Sequence, residues 1–370
     1  MARQRKATTS IVFTVMLWCA CATTGFAQQD STYQWFVRGN YHYGILLPEY
    51  SVVNYTSNDY IRGFEVNLIH QTKGDDIWQR LYRNPTYGVS FFYSTMGNKE
   101  VYGDQYTLYP FYGLHFVQRP RFTFGYQMGV GISYATKKFS ITGNPENVTI
   151  GSHVNIHYHA DLLARIGLTD RWSLNTGIAF NHISNANLSE PNVGLNFLTA
   201  NVGIQYAYGN KAPVQRDKPE RLNPFWTYEI TLAGGYKHTR TFESFKYAAL
   251  AVGGTVKRRI AHRFALGVGV DFFYDSSTQP QMERLGKPFQ PSYAYMSGIH
   301  LSQEFIYNKV SFVLQEGFYV GLMHRLNEYP MYNRAMVRYK FTKHFLMSIS
   351  MKSHIYILDF PELGIGYYWQ

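Results

Sequence analysis

At 370 residues, with 17% aromatics that include 32 Tyr and 26 Phe, the chain is rich in side chains that favour the boundary between oil and water. Its mean hydropathy is slightly negative, and beyond the N-terminus no stretch approaches the roughly 18 apolar residues of a membrane helix, which excludes a helical membrane protein. The formal charge of +11 suits an anionic surface such as phosphorylated lipid, although solvated basic loops account for it equally well.

The first element in chain order is a targeting segment. Arg3, Arg5 and Lys6 precede the apolar run IVFTVMLWCACATTG (11–25), and Gly25-Phe26-Ala27 supplies a small-x-small cleavage site, so residues 1–27 are expected to be a secretory signal. Without those three basic residues the charge falls from +11 to +8. Cys19 and Cys21 both lie inside the signal, which leaves the remainder with no thiol, no disulfide framework and no cysteine metal site. Trp18 and Cys19 are poor residues ahead of a lipidated Cys21.

From residue 33 onward the dominant period is two. In FTFGYQMGVGISY (122–134) the even positions Phe122, Phe124, Tyr126, Met128, Val130, Ile132 and Tyr134 are large and apolar, and the odd positions are small or polar. ANVGIQYAYG (200–209), FALGVGVDFFY (264–274) and LGIGYYWQ (363–370) repeat the split. Alternating segments of about ten residues with aromatics at their ends, behind a signal, predict an all-β transmembrane antiparallel β-barrel in the outer membrane of a Gram-negative bacterium. The segments fall near 33–46, 60–71, 86–94, 106–118, 121–135, 155–168, 171–183 and 196–208, then near 226–237, 244–258, 261–274, 293–304, 308–320, 332–341, 344–357 and 361–369. Between the sets lies NKAPVQRDKPERLNP (210–224), a charged, Pro-containing linker or long turn. One barrel of about 16 strands and two tandem 8-stranded barrels both fit. A single barrel, in which residues 225–370 complete what 28–209 begin, is preferred because the halves show no clear repeat.

The junction NHISNANLSEPNVGLNFL (181–198) is chemically dense. In RWSLNTGIAFNHIS (171–184) the bulky apolar set Trp172, Leu174, Ile178 and Phe180 is even-numbered, so parity carries His182 and Ser184 to the lipid side. The returning strand, with Ala200, Val202, Ile204, Tyr206 and Tyr208 outward, brings Asn196 to the same wall. If both termini are periplasmic, this rim faces the outer leaflet. A Ser hydroxyl needs an adjacent base to act as a nucleophile, and a His two residues away on one strand face can supply it. Unpaired polar groups facing lipid are costly, which favours a functional reading.

The segment HISNANLSEPNVG (182–194) resembles the active-site motif of the outer-membrane lipid A 3-O-deacylases (PagL-like), His-x-Ser-Asn-Ala followed by Asn-x-Gly. The resemblance implies Ser184 as nucleophile, His182 as general base, and an oxyanion hole formed by Asn192 with backbone N–H groups just after Ser184, beginning at Asn185. The family orients its His with an acidic residue, and the matching position here is Asn196. An Asn can fix the imidazole tautomer but cannot stabilise the imidazolium by charge. Glu190, in the same loop, is a possible substitute acid. The expected function is removal of a 3-hydroxyacyl chain from lipid A, in lipopolysaccharide, or from a related acylated glycolipid, with no cofactor. The competing reading is a non-catalytic pore or structural barrel.

Other clusters carry less. His153, His157, His159 and Asp161 could imitate a metal site, but their parity points them into the lumen, away from Ser184, so no metal is expected. His238, His300, His324 and His354 have no partner recognisable in the sequence, and Gly267-Val268-Gly269 precedes no helix. Basic residues are scattered, which argues against nucleic acid. Nothing in the sequence fixes an oligomeric state.

Overall fold

The computed structural model describes residues 31–49, 51–186, 189–239, 245–323, 326, 330–354 and 357–370. The expected signal at 1–27, with Cys19 and Cys21, and His324 lie outside the described residues. Eight strands, β1 (Ser31–Leu47), β2 (Ile61–Gln71), β3 (Thr86–Thr95), β4 (Asp104–Arg119), β5 (Phe122–Ala135), β6 (Val154–Gly167), β7 (Trp172–Ser184) and β8 (Leu195–Pro213), pair in chain order. β8 then closes onto β1, antiparallel from Ser31↔Pro213 to Leu47↔Asn196. Eight more, β9 (Phe225–Lys237), β10 (Tyr247–Ala261), β11 (Phe264–Asp275), β12 (Tyr295–Tyr307), β13 (Val310–Tyr319), β14 (Met331–Lys340), β15 (Phe345–His354) and β16 (Ile357–Trp369), form a second closed barrel sealed by β16 on β9.

The all-β barrel expectation therefore holds, but the preferred single barrel does not. Residues 225–370 complete no earlier sheet; they close on themselves. Closure removes the strand edges that lipid cannot satisfy, and each set of eight achieves it separately. At the first seam Gly44 permits the approach, since a Cβ there would lie 1.9 Å from the Leu198 carbonyl oxygen. β8 continues to Pro213, so the irregular link between barrels spans 214–224 rather than 210–224.

Side-chain parity follows the hydrophobic pattern. On β7, Trp172 and Ile178 are exposed on the outer wall while Asn175 and Asn181 are fully buried within. On β16, Leu363, Ile365 and Tyr367 face outward and Glu362 inward. Aromatic pairs ring both ends of the first barrel: Trp35–Tyr208 and Trp172–Tyr206 at one, Tyr43–Tyr60 and Tyr93–Tyr106 at the other. Connections 48–60, 96–103, 136–153 and 185–194 gather at the end reached by β7, whereas 120–121 and 168–171 at the opposite end are tight turns. In the second barrel 238–246, 276–294 and 320–330 gather at one end, and 262–263 and 308–309 are short turns at the other. Outer-membrane barrels carry long loops outside and short turns on the periplasmic side, which places the termini of both barrels in the periplasm and the 182–196 segment at the outer leaflet.

An eight-stranded barrel is just wide enough for its own side chains to fill. In the first lumen, Glu65 accepts a hydrogen bond from Asn40 (3.0 Å) and one from the Tyr109 hydroxyl, with His42 and His159 at 3.5 and 3.9 Å. His157 and His159 both reach Asn181 Oδ1, at 3.1 and 2.8 Å, and Asp161 accepts from Asn201 at 3.1 Å. His153 departs from the expected parity: it precedes β6, bonds the Ala135 carbonyl at 2.8 Å and stacks on outward-facing Tyr134. The second lumen is filled by ion pairs, among them Lys257 to Glu229 (2.7 Å) and Glu304 (2.8 Å) and Arg334 to Asp271 (3.2 Å) and Glu362 (3.1 Å). His300 belongs to this network, on Asp271 at 2.6 Å.

Candidate active site

β7 and β8 are hydrogen-bonded neighbours with His182 directly opposite Asn196. His182 and Ser184 stand on one face two residues apart, as the period of a strand requires. His182 Nε2 lies 2.9 Å from Ser184 Oγ, and His182 Nδ1 lies 2.6 Å from Asn196 Oδ1. All three side chains are half-buried, on the lipid-facing side, while Asn181, Ile183 and Asn185 between and beside them are buried.

The second half of the Asn196 amide is also used. Its Nδ2 donates to Glu49 Oε2 at 2.9 Å. Glu49 lies just past the end of β1, and the β1–β8 seam, which pairs Leu47 with Asn196, delivers it across 147 positions of sequence. A carboxylate only accepts, so it fixes which end of the amide faces it. Oδ1 is thereby turned to the imidazole, Nδ1 carries the proton, and Nε2 is left to accept the Ser184 O–H. The four groups form a directed relay: Ser184, His182, Asn196, Glu49.

Sequence reading placed three of these four together and missed Glu49. Among the described residues no hydrogen bond joins Glu190 to His182; the carboxylate that reaches the pair is Glu49. The Asn-x-Gly part of the motif organises the loop. Asn192 Oδ1 accepts the Asn185 backbone N–H at 2.8 Å, so that N–H is engaged, and the donor left to Asn192 is its Nδ2. The buried Asn185 side chain staples the turn, donating to the Ser189 carbonyl (2.8 Å) and accepting the Ser189 N–H (3.2 Å). Gly194 has φ +78°, and a Cβ there would sit 3.0 Å from His182 Cε1. Its N–H bonds the Thr149 carbonyl at 3.0 Å, tying the 185–194 loop to the 136–153 loop. Glycine at 194 lets the chain turn back beside the imidazole without displacing it.

The model of the family described as lipid A 3-O-deacylase (PagL) matches residues 62–205, which include this whole site except Glu49. The first barrel thus carries the match to the PagL family model. A second model, described as acyloxyacyl hydrolase, C-terminal domain, matches residues 226–370, the second barrel. A search of curated proteins gave no match. Among solved structures, the outer membrane enzyme PagL is 15% identical, with 45% of this chain and 97% of that one covered and a TM-score of 0.31. Neisserial surface protein A is 11% identical, with 49% and 100% covered and a TM-score of 0.32. Omp33 of Acinetobacter baumannii is 10% identical, with 93% and 100% covered and a TM-score of 0.17. The fold rests on the strand pairing itself rather than on these likenesses. The chain is an outer-membrane β-barrel protein, and the matched motif spans strands that the first barrel alone supplies.

Proposed function

We propose that the first barrel is an esterase that releases a 3-hydroxyacyl chain from lipid A by nucleophilic catalysis on its outer wall. The observation that carries this reading is the relay from Ser184 through His182 to Asn196, at 2.9 and 2.6 Å, exposed to the leaflet in which lipid A resides. Ser184 Oγ attacks the ester carbonyl as its proton passes to His182 Nε2. The tetrahedral oxyanion takes a hydrogen bond from Asn192 Nδ2, a kind of contact that lowers such barriers by roughly 3–4 kcal/mol. Collapse breaks the bond to the sugar oxygen, which receives the proton held by His182. Water, deprotonated by the same imidazole, then frees the acyl group from Ser184.

The wall below the site is suited to an acyl chain. Ile156, paired with Ser184, and Leu198 and Ile45, paired with each other one step past Asn196, are all exposed and apolar. The substrate's ester lies at the headgroup boundary while its tails run down the barrel, so no lumen passage is needed. Both lumens are occupied by hydrogen-bonded or ion-paired side chains, which weighs against the competing reading of a pore.

Mass spectrometry of lipid A from cells expressing the protein tests the reading. Loss of one 3-hydroxyacyl chain is expected with the native chain and not with Ser184→Ala, and trimming by Ser184→Ala at the native level would refute it. Heat-modifiable migration in gels monitors folding, because Ser184 is not packed in a core.

A further inference from the structure

The periplasmic ends of the two barrels meet, and the junction has two compartments of opposite character. The first is a cavity of about 530 Å³ whose lining includes Arg80, Arg83, Arg216, Lys218 and Arg263 and, among the described residues, no carboxylate. Three elements converge to make it. Helix Ile77–Leu81 and the turn after it supply Arg80 and Arg83, the inter-barrel link supplies Arg216 and Lys218, and the β10–β11 turn of the second barrel supplies Arg263. The link is pinned in place: the Gln215 N–H donates to the Lys73 carbonyl (2.7 Å), and the Gln215 carbonyl accepts from Asn84 (3.0 Å). The contacts of Arg80 and Arg83 are to neutral oxygens, the carbonyls of Gly74 (2.6 Å) and Phe116 (3.2 Å). They orient the guanidinium groups without neutralising them.

The second compartment is an apolar cleft of about 650 Å³ between the two outer walls, lined by Trp78, Tyr112, Tyr126 and Met128 of the first barrel and Phe305 and Phe312 of the second. Tyr82 joins the compartments. Its ring stacks on Tyr307 at 4.7 Å, its hydroxyl donates to the Ile306 carbonyl at 2.8 Å, and the Arg263 guanidinium lies over its face at 5.6 Å. The Ile306 N–H in turn donates to the Arg263 carbonyl at 2.8 Å, so cation and cleft wall are held together.

Like charges such as Arg80, Arg83, Lys218 and Arg263 crowded around one cavity repel each other less when an anion shares it, and lipid-facing walls that leave a gap need something to fill it. A free anion would satisfy only the cavity and an uncharged acyl chain only the cleft. We propose that this junction is a binding site for one anionic glycerophospholipid of the inner leaflet, its phosphate held by the basic cavity and its tails by the cleft, bridging the two barrels. Lipid A resides in the opposite leaflet, at the other end of the barrel, so this lipid is a structural ligand and not the substrate. Basic pockets between membrane-embedded elements recognise acidic headgroups by the same combination.

The test uses the full chain. After purification and detergent exchange, bound lipid is extracted and quantified per protein, and glycerophospholipid is separated from lipid A by mass. The native chain is expected to retain an acidic glycerophospholipid, and the Arg216→Ala/Arg263→Ala variant to retain at least about tenfold less. Retention of none, or equal retention by the variant, overturns the proposal. Should the variant fail to fold, the native chain decides: in vesicles or mixed micelles, phosphatidylglycerol is expected to raise its unfolding temperature, while phosphatidylethanolamine and inorganic phosphate are not. Equal stabilisation by either of those overturns it, the first because charge recognition is then absent, the second because the tails are.

Discussion

In the first barrel the buried polar lumen is built around imidazoles, amides and the carboxylates of Glu65 and Asp161, and the conspicuous polar cluster lies outside, at His182, Ser184 and Asn196. In the second barrel the arrangement is inverted. Lysines and arginines are paired with Asp and Glu inside, and the corresponding outer positions of β15 are Met351 and Ser353, with no imidazole between lipid and wall. His354, at the end of β15, is buried, with its Nε2 2.9 Å from the Tyr319 hydroxyl. Two barrels of equal strand number thus differ in which surface bears the polar chemistry. Filling the lumen is a structural requirement that either solution meets. A hydrogen-bonded Ser–His pair facing lipid meets no such requirement, and this is the ground for proposing chemistry on the first barrel.

The sharpest way to break that division is at the two equivalent rims. His182→Ala is expected to lower acyl release by about 10³-fold or more, the loss typical when the general base of a nucleophile–base pair is removed. Met351→Ala and Ser353→Ala, at the rim of the second barrel, should leave the rate unchanged. Comparable losses from both rims, measured as lipid A turnover in detergent micelles, would mean that the barrels share the reaction.

The lumens predict a second difference, in stability. Lys257→Met removes the cation shared by buried Glu229 and Glu304, leaving Glu229 on Arg338 (2.8 Å) and Glu304 on the more distant Lys340 (3.9 Å), and should destabilise the second barrel by about 3 kcal/mol. Glu65→Gln in the first barrel keeps a hydrogen-bond acceptor for Asn40 and the Tyr109 hydroxyl but removes the charge that buried Arg38 and the nearby imidazoles face, and should cost about 1–3 kcal/mol. Because each sheet closes on itself, urea unfolding followed by heat modifiability should show Lys257→Met moving one transition and Glu65→Gln the other. A single transition moved equally by both would deny the barrels independent closure.

The strands were legible because a two-residue alternation runs through most of each, with large apolar and aromatic side chains on one face, and the rim site was legible because parity alone puts His182, Ser184 and Asn196 on one wall. Closure was not. Which strand edge β8 meets is decided by pairing over the whole length of β1, and no local pattern states whether that partner is β1 or β9. The same ambiguity concealed Glu49. In a 16-stranded barrel β1 would lie against β16, and its C-terminal end would be remote from Asn196; with β8 closed on β1, Glu49 comes within hydrogen-bond distance of Asn196. One topological choice therefore carried one residue of the relay with it, and the loop acid Glu190 stood in its place.

That relay offers the finest comparison, between a carboxylate acting directly on an imidazole and one acting through an amide. Glu49→Gln removes the charge but keeps an oxygen for Asn196 Nδ2, so the tautomer survives and only stabilisation of the developing imidazolium is lost. A fall of about tenfold in kcat, or 1.4 kcal/mol of barrier, is expected, with KM little changed. Asn196→Glu alone puts a second carboxylate beside Glu49, and two like charges at that distance drive one of them to take a proton or turn away, so little gain should follow. Combined with Glu49→Gln, the same Asn196→Glu change meets a side-chain amide instead of an anion and presents its own carboxylate to His182 Nδ1. This double variant should recover the loss caused by Glu49→Gln and exceed the rate of Asn196→Glu alone. The coupling between the two positions is the quantity to measure, since residues in direct contact depart from additivity by 0.5–3 kcal/mol. Strict additivity, with Glu49→Gln at the native rate, would remove Glu49 from the relay and leave Asn196 as a neutral anchor for the imidazole.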